Sequence, residues 1–151
     1  MRLAIGSDHA GFQLKTTISE HLHGLGHDVV DVGTHGEESV DYPDFGAAVG
    51  QAVATGDAEL GIAVCGSGIG IGIAANKVPG VRAATVNDAT GGHLCREHNN
   101  ANVLCLGQRM VGVAVALDAV DAFLAAEFEG GRHEPRVNKI TALEHNAETI
   151  A

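Results

Sequence analysis

Five short apolar runs, each followed by a segment able to form a helix, constrain this chain more than any other feature. The runs cover residues 2–6, 27–33, 60–64, 81–86 and 101–107. Their length and their Val, Ile, Leu and Ala content suit strands buried on both faces of a parallel sheet. Between them, residues 11–25 place Phe12, Leu14, Ile18, Leu22 and Leu25 at nearly helical spacing. Pro43 suits the first turn of a small-residue helix over 43–55, a third helix covers 69–76, and Asn87 or Asp88 can cap a fourth. Residues 111–128 form the best amphipathic helix, with Gly130 and Gly131 as its stop, and Pro135 opens a final helix to about residue 147. This alternation predicts one α/β domain over 1–151, a Rossmann-like doubly wound five-stranded parallel sheet with helices on both faces and a C-terminal helix. Aromatic residues make up only 3% of the chain, so the core must be aliphatic.

The third run ends on chemistry. Cys65 follows Gly61-Ile-Ala-Val64, and glycines then stand at 66, 68, 70 and 72 around Ser67 and Ile69. Such a loop lets the backbone approach a ligand closely, and its amides favour negative charge. A thiol at its mouth has its thiolate stabilised, which suits a nucleophile or base. In a doubly wound sheet, ligands bind beyond the carboxyl ends of the strands. That rule gathers Asp8 and His9 after the first run, the cysteine loop after the third, and Arg109 after the fifth. Asp8 and His9 read equally well as a helix cap with a surface histidine. Arg132 and Arg136 flank Pro135 at a helix start, where they could cradle a phosphate or stand as ordinary solvated side chains.

Several other classes fit poorly. A net charge of −10 argues against general affinity for nucleic acid or an anionic membrane. The three cysteines, Cys65, Cys95 and Cys105, form no CxxC pair and are odd in number, so reduced thiols in a cytoplasmic protein are expected. Neither a signal peptide nor a membrane-spanning run is visible. His93, Cys95 and His98 have a superficial look of metal ligands, but the two histidines face different ways on a helix and no second pair has zinc-like spacing. No metal and no cofactor are therefore expected. Gly70-x-Gly72-x-x-Ala75 matches a dinucleotide fingerprint in outline, yet it does not follow the first strand, and no acid stands about 20 positions on.

Seven ordered motifs carry a resemblance over nearly the whole chain: Gly6-Ser-Asp8-His9-Ala-Gly11, Asp41-Tyr42-Pro43, Cys65-Gly66-Ser67-Gly68-Ile69-Gly70, Ala74-Ala-Asn76-Lys77, His98-Asn99-x-x-Asn102, Gly107-x-Arg109 and Glu129-Gly-Gly-Arg132-His-x-x-Arg136. Together they resemble the type B ribose-5-phosphate isomerases, grouped with the galactose-6-phosphate isomerase subunits. The resemblance implies metal-free interconversion of ribose 5-phosphate and ribulose 5-phosphate, with galactose 6-phosphate or allose 6-phosphate as alternative substrates. It makes Cys65 the base, assisted by Ser67, with amides from Gly66 through Gly68, Ile69 and Gly70 as the anion hole. Some members replace this cysteine by a glutamate on the following helix, but residues 71–76 contain no acid here. His98 is implied in opening the furanose ring. Asp8 and Tyr42 are implied in contacts to sugar hydroxyls or in assisting that opening, and Asn99 in binding substrate or the enediolate. His9, Arg109, Arg132 and Arg136 would hold the phosphate. A homodimer or tetramer with sites shared between subunits is also implied, with the segment from His98 to Arg109 at the sheet edge reaching the partner's Cys65. A non-catalytic nucleotide-binding module is the alternative from another class; it leaves Cys65 without a purpose.

Overall fold

A computed structural model describes residues 1–150, with side chains as far as His145. The order is β1 (Arg2–Ser7), α1 (Phe12–Gly24), β2 (Asp28–Asp31), α2 (Tyr42–Ala54), β3 (Leu60–Cys65), α3 (Ile69–Ala75), β4 (Ala83–Thr85), α4 (Ala89–Asn99), β5 (Val103–Gly107), α5 (Val113–Ala125) and α6 (Glu134–Ile150). Short 3-10 turns, His9–Gly11 and Gly131–His133, lead into α1 and α6. All strand pairs are parallel, in the order β2-β1-β3-β5-β4. The doubly wound five-stranded sheet inferred from the alternation is the fold observed. No helix among the described residues is long and apolar enough to cross a membrane.

Side-chain alternation along the strands divides the core into two layers. Leu3, Ile5, Ile62, Val64, Leu104 and Leu106 pack under α1, α4 and α5, where Leu14, Ile18, Leu22, Val120 and Phe123 meet them. Ala4, Ala63, Val103 and Cys105 face the other way, against Val49 of α2 and Ile71 and Ala75 of α3. Every residue of β3 and β5 is buried, as strands covered on both faces must be.

The second and fifth strands are shorter than the runs that announced them, Asp28–Asp31 and Val103–Gly107, and four further boundaries or placements differ from the sequence reading. The fourth strand shrinks to three residues because it pairs on one side only. The amphipathic helix stops at Ala125, well before the glycines, and the chain leaves it extended at Ala126. Beyond that stop, the Glu129 amide donates to the Glu97 carbonyl at 3.0 Å, a tertiary bond that replaces further helical turns. The last helix starts at Glu134, with Pro135 second, because the 3-10 turn runs straight into it. Finally, β5 is not at the sheet edge but lies between β3 and β4.

The least foreseeable core residue is Lys15, only 1% exposed among the aliphatics of α1. Its Nζ donates to both carboxylate oxygens of Asp31 at 2.6 and 2.7 Å. Asp31 also accepts from the Gly33 amide at 2.9 Å. Removing one member of a buried ion pair leaves the other charge without a partner, at a cost of about 3–5 kcal/mol. Asp31→Ala strands the buried ammonium, whereas Lys15→Met leaves a carboxylate that is partly in water. We expect Asp31→Ala to destabilise the fold by about 3 kcal/mol or more in urea unfolding, and Lys15→Met by distinctly less.

Candidate active site

The strand β3 delivers Cys65 to the carboxyl edge of the sheet, where β5 ends beside it with Gly107 in register. The glycine loop then folds over the thiol. Gly68 adopts φ 77°, a left-handed conformation that suits glycine, and a side chain there would strike the backbone of Leu106. That turn aims the Gly68 amide at Cys65 Sγ, 3.1 Å away. The Ile69 amide donates to Ser67 Oγ at 3.2 Å. Two of the loop amides expected in an anion hole are therefore engaged within the loop itself.

The same edge holds the end of β1. Asp8 is buried and caps the 3-10 turn, its Oδ1 accepting from the Gly11 amide at 3.0 Å. Asp8 is thus the cap that one reading expected, and it also lines the cleft. His9 Nδ1 lies 3.2 Å from both the amide and the carbonyl of Val40, which fixes the ring against the loop before α2. Tyr42, the first residue of α2, lies against Gly70. Arg109 follows β5, its amide donating to the Gly66 carbonyl at 3.0 Å. Together Asp8, His9, Tyr42, Cys65, Gly66, Ser67, Ile69, Gly70 and Arg109 line one cleft of about 660 Å³.

His98, Asn99, Arg132 and Arg136 do not line it. A helix that follows a parallel strand runs back across the sheet, so the C-terminal end of α4 lies near the amino ends of the strands. His98 and Asn99 occupy that end, just before β5 begins, while Cys65 pairs with the last residue of β5. One strand length, roughly 13 Å at about 3.3 Å per residue, separates these levels. His98 stacks on the ring of His133, centroids 4.3 Å apart, which brings the turn carrying Arg132 to the same end. Arg132 and Arg136 are exposed, and Arg136 Nη1 donates to the Arg132 carbonyl at 3.0 Å. Asn99 lines a separate cleft of about 690 Å³ with Arg82, Ile140 and Leu143. The expectation that Arg109 belongs with His98 needs correction: because β5 is internal, Arg109 emerges at the carboxyl edge, beside this chain's own Cys65. The remaining members of the metal-like trio point apart, His93 pairing with Glu97 at 2.8 Å and Cys95 donating to the Gly92 carbonyl.

A parallel α/β sheet with a thiol, a carboxylate, an imidazole and a guanidinium gathered at its carboxyl edge defines an enzyme class that handles small anionic substrates. The chain belongs to the ribose/galactose isomerase family, whose family model matches residues 3–140. It is 48% identical over 143 residues to ribose-5-phosphate isomerase B of Escherichia coli (strain K12), covering 95% of this chain and 96% of that one. A solved ribose-5-phosphate isomerase B from Clostridium thermocellum is similar at 54% identity and a TM-score of 0.96, over 97% of this chain and 99% of that one. The Mycoplasma genitalium ribose-5-phosphate isomerase B, solved with bound ribulose 5-phosphate, is similar at 46% identity and a TM-score of 0.91, over 95% and 96% of the two chains.

Sequence reasoning missed His133, which holds His98 by stacking, and Gln108, whose Oε1 accepts from the Leu14 amide at 2.9 Å and ties α1 to the loop after β5. His133 lies inside the last motif, but nothing local announces its partner. The three thiols are unequal. Burial raises Cys95 to about 11 and pushes Cys105, wholly enclosed, higher still. Both stay protonated and inert at neutral pH. Iodoacetamide at pH 8 should therefore label Cys65 first, with peptide mass spectrometry finding Cys95 and Cys105 unmodified in the folded protein. Labelling of Cys95 at a comparable rate contradicts this ordering.

Proposed function

We propose that this chain is an aldose–ketose isomerase that interconverts ribose 5-phosphate and ribulose 5-phosphate. The observation that carries the reading is the Cys65 thiol, held under the Gly68 amide at 3.1 Å, in a cleft shared with Asp8, His9, Tyr42 and Arg109. Cys65 takes the proton from the carbon next to the carbonyl, giving an enediolate, and returns it to the neighbouring carbon. The Ser67 hydroxyl and the amides between Gly66 and Gly70 that are not engaged within the loop meet the developing oxyanion, where donors fixed in place stabilise charge most. Asp8 and Tyr42 contact sugar hydroxyls, and His9 and Arg109 hold the phosphate. The relatives that act on these sugar phosphates support this choice of substrate.

A single domain spanning 1–151 supplies these groups but keeps His98, Asn99, Arg132 and Arg136 at the other end of its sheet. The reading therefore includes a homodimer in which each site joins the Cys65 cleft of one chain to those four residues of the other. His98 opens the furanose by moving a proton, a task suited to imidazole. Asn99 contacts the enediolate, and the two arginines complete the phosphate grip, bidentate where the guanidinium faces two oxygens. No metal or cofactor takes part, and the reduced thiols fit a cytoplasmic protein.

A panel of ribose, allose and galactose phosphates, with ketose formation followed directly, tests the substrate. Cys65→Ala should abolish turnover on all of them. Retained activity in that variant removes the cysteine from the role of base. His98→Asn should slow ribose 5-phosphate far more than ribulose 5-phosphate, which has no furanose ring to open. Co-refolding inactive Cys65→Ala with His98→Asn should raise ribose 5-phosphate turnover above that of His98→Asn alone, because mixed dimers contain one intact site. Mixtures that exchange subunits without that gain refute the shared site.

A further inference from the structure

The far end of α4 carries more chemistry than ring opening uses. His133 stacks on His98 with planes 12° from parallel, and His133 itself is buried. Its Nε2 is closed off from solvent and has no hydrogen-bond partner, although Glu129 Oε2 stands 3.2 Å away. One ligand atom from each of His98, Glu129 and His133 lies within 4.8 Å of the other two. The segment bearing Glu129 is pinned to α4 through the Glu97 carbonyl, and the Glu97 carboxylate lies 3.9 Å from His98 Nε2. Buried polar nitrogens without partners are rare, and one facing a carboxylate and a second imidazole is a candidate ligand.

We propose that His98, Glu129 and His133 form an inhibitory site for a divalent transition-metal ion, with Zn²⁺ as the ion best matched. Two imidazoles and one carboxylate, with a fourth position left to water, are a set that zinc accepts. Zinc–nitrogen bonds of about 2.0–2.1 Å require the ligand atoms to draw to roughly 3.3 Å from one another. In the single chain Glu129 is exposed and His98 partly so, which leaves both free to rotate by the roughly 1.5 Å required and lets the ion reach them. His98 must swing out of its stack, and the imidazole then holds metal instead of reaching substrate. Arg132, next to His133, opposes the cation, so the site fills reversibly and weakly. Ion binding stands on this geometry alone; only the inhibitory consequence rests on the proposed role of His98.

The test titrates Zn²⁺ into the reduced full-length protein against a chromophoric chelator, with turnover followed in parallel. One Zn²⁺ per chain should bind, Cys65→Ala should keep that ion, and Glu129→Gln should weaken it on the order of tenfold or more. Glu129 is exposed, so that variant folds even if His133→Asn does not. Zn²⁺ should inhibit the parent enzyme, EDTA should reverse it, and Glu129→Gln should retain basal activity while resisting inhibition. Binding that ignores Glu129 and follows Cys65 overturns the site as thiol poisoning. Binding through Glu129 without inhibition overturns the role of His98 in turnover and leaves the ion site standing.

Discussion

The insertion of β5 between β3 and β4 is the constraint on which the rest of the structure depends. Five register pairs, from Gly61 with Val103 to Cys65 with Gly107, set the ends of both central strands level. The chain then leaves β5 along the cysteine loop. Gln108 and Arg109 donate their amides to the Cys65 and Gly66 carbonyls at 2.9 and 3.0 Å, and Thr85 Oγ1 donates to the Gly68 carbonyl at 2.9 Å. A buried backbone group left unpaired costs about 1–3 kcal/mol, so three satisfied carbonyls within residues 65–68 hold this loop in one conformation. The thiol owes its position to backbone pairing.

The same strand order divides the functional groups. With β4 at the edge, α4 crosses back over the sheet beside α5 and releases His98 and Asn99 at the end opposite Cys65. The turn before α6 joins them there through the stacked histidines. One end has the thiol and loop with Arg109, the other an imidazole, an amide and two arginines. In a chain of net charge −10, this concentration of arginine is a local positive island, and the proposed reading uses it to hold the phosphate. In the homodimer we propose, association of two chains joins the two sets into one site.

Behind the lining residues stands a set of polar contacts that fixes them. Asp31 binds buried Lys15 and the Gly33 amide together. Gly33 and Thr34 in turn exchange 2.7 Å backbone bonds with Ser7, immediately before Asp8 and His9. A buried ion pair contributes little net stability, but it holds the segment it ties to one geometry. The path from Lys15 through Asp31 to Ser7 thus keeps the carboxylate and imidazole of the cleft in place from the opposite side of β1.

The sequence by itself determined what local chemistry can determine. Strand and helix alternation, a helix cap at Asn87 or Asp88, a sharply turning glycine loop and the thiol at its head all depend on residues a few positions apart, so a one-dimensional reading captures them. That Asp88 is the cap and that Gly68 takes the left-handed turn came from the structure. The ordered motifs added the likeness to sugar-phosphate isomerases and drew one combined set of site residues. Tertiary structure decided where those residues go. Whether β5 pairs at the edge or in the centre is settled by competition between whole buried strands, and no local signal reports it. The burial of Lys15 reflects a carboxylate on a neighbouring strand, and the stack of His98 on His133 joins two turns far apart in the chain. Helix α5 stops at Ala125 where the segment beyond it is drawn to Glu97, although its own residues could have continued. In each case the deciding partner is distant in sequence, and only the folded sheet brings it within bonding range.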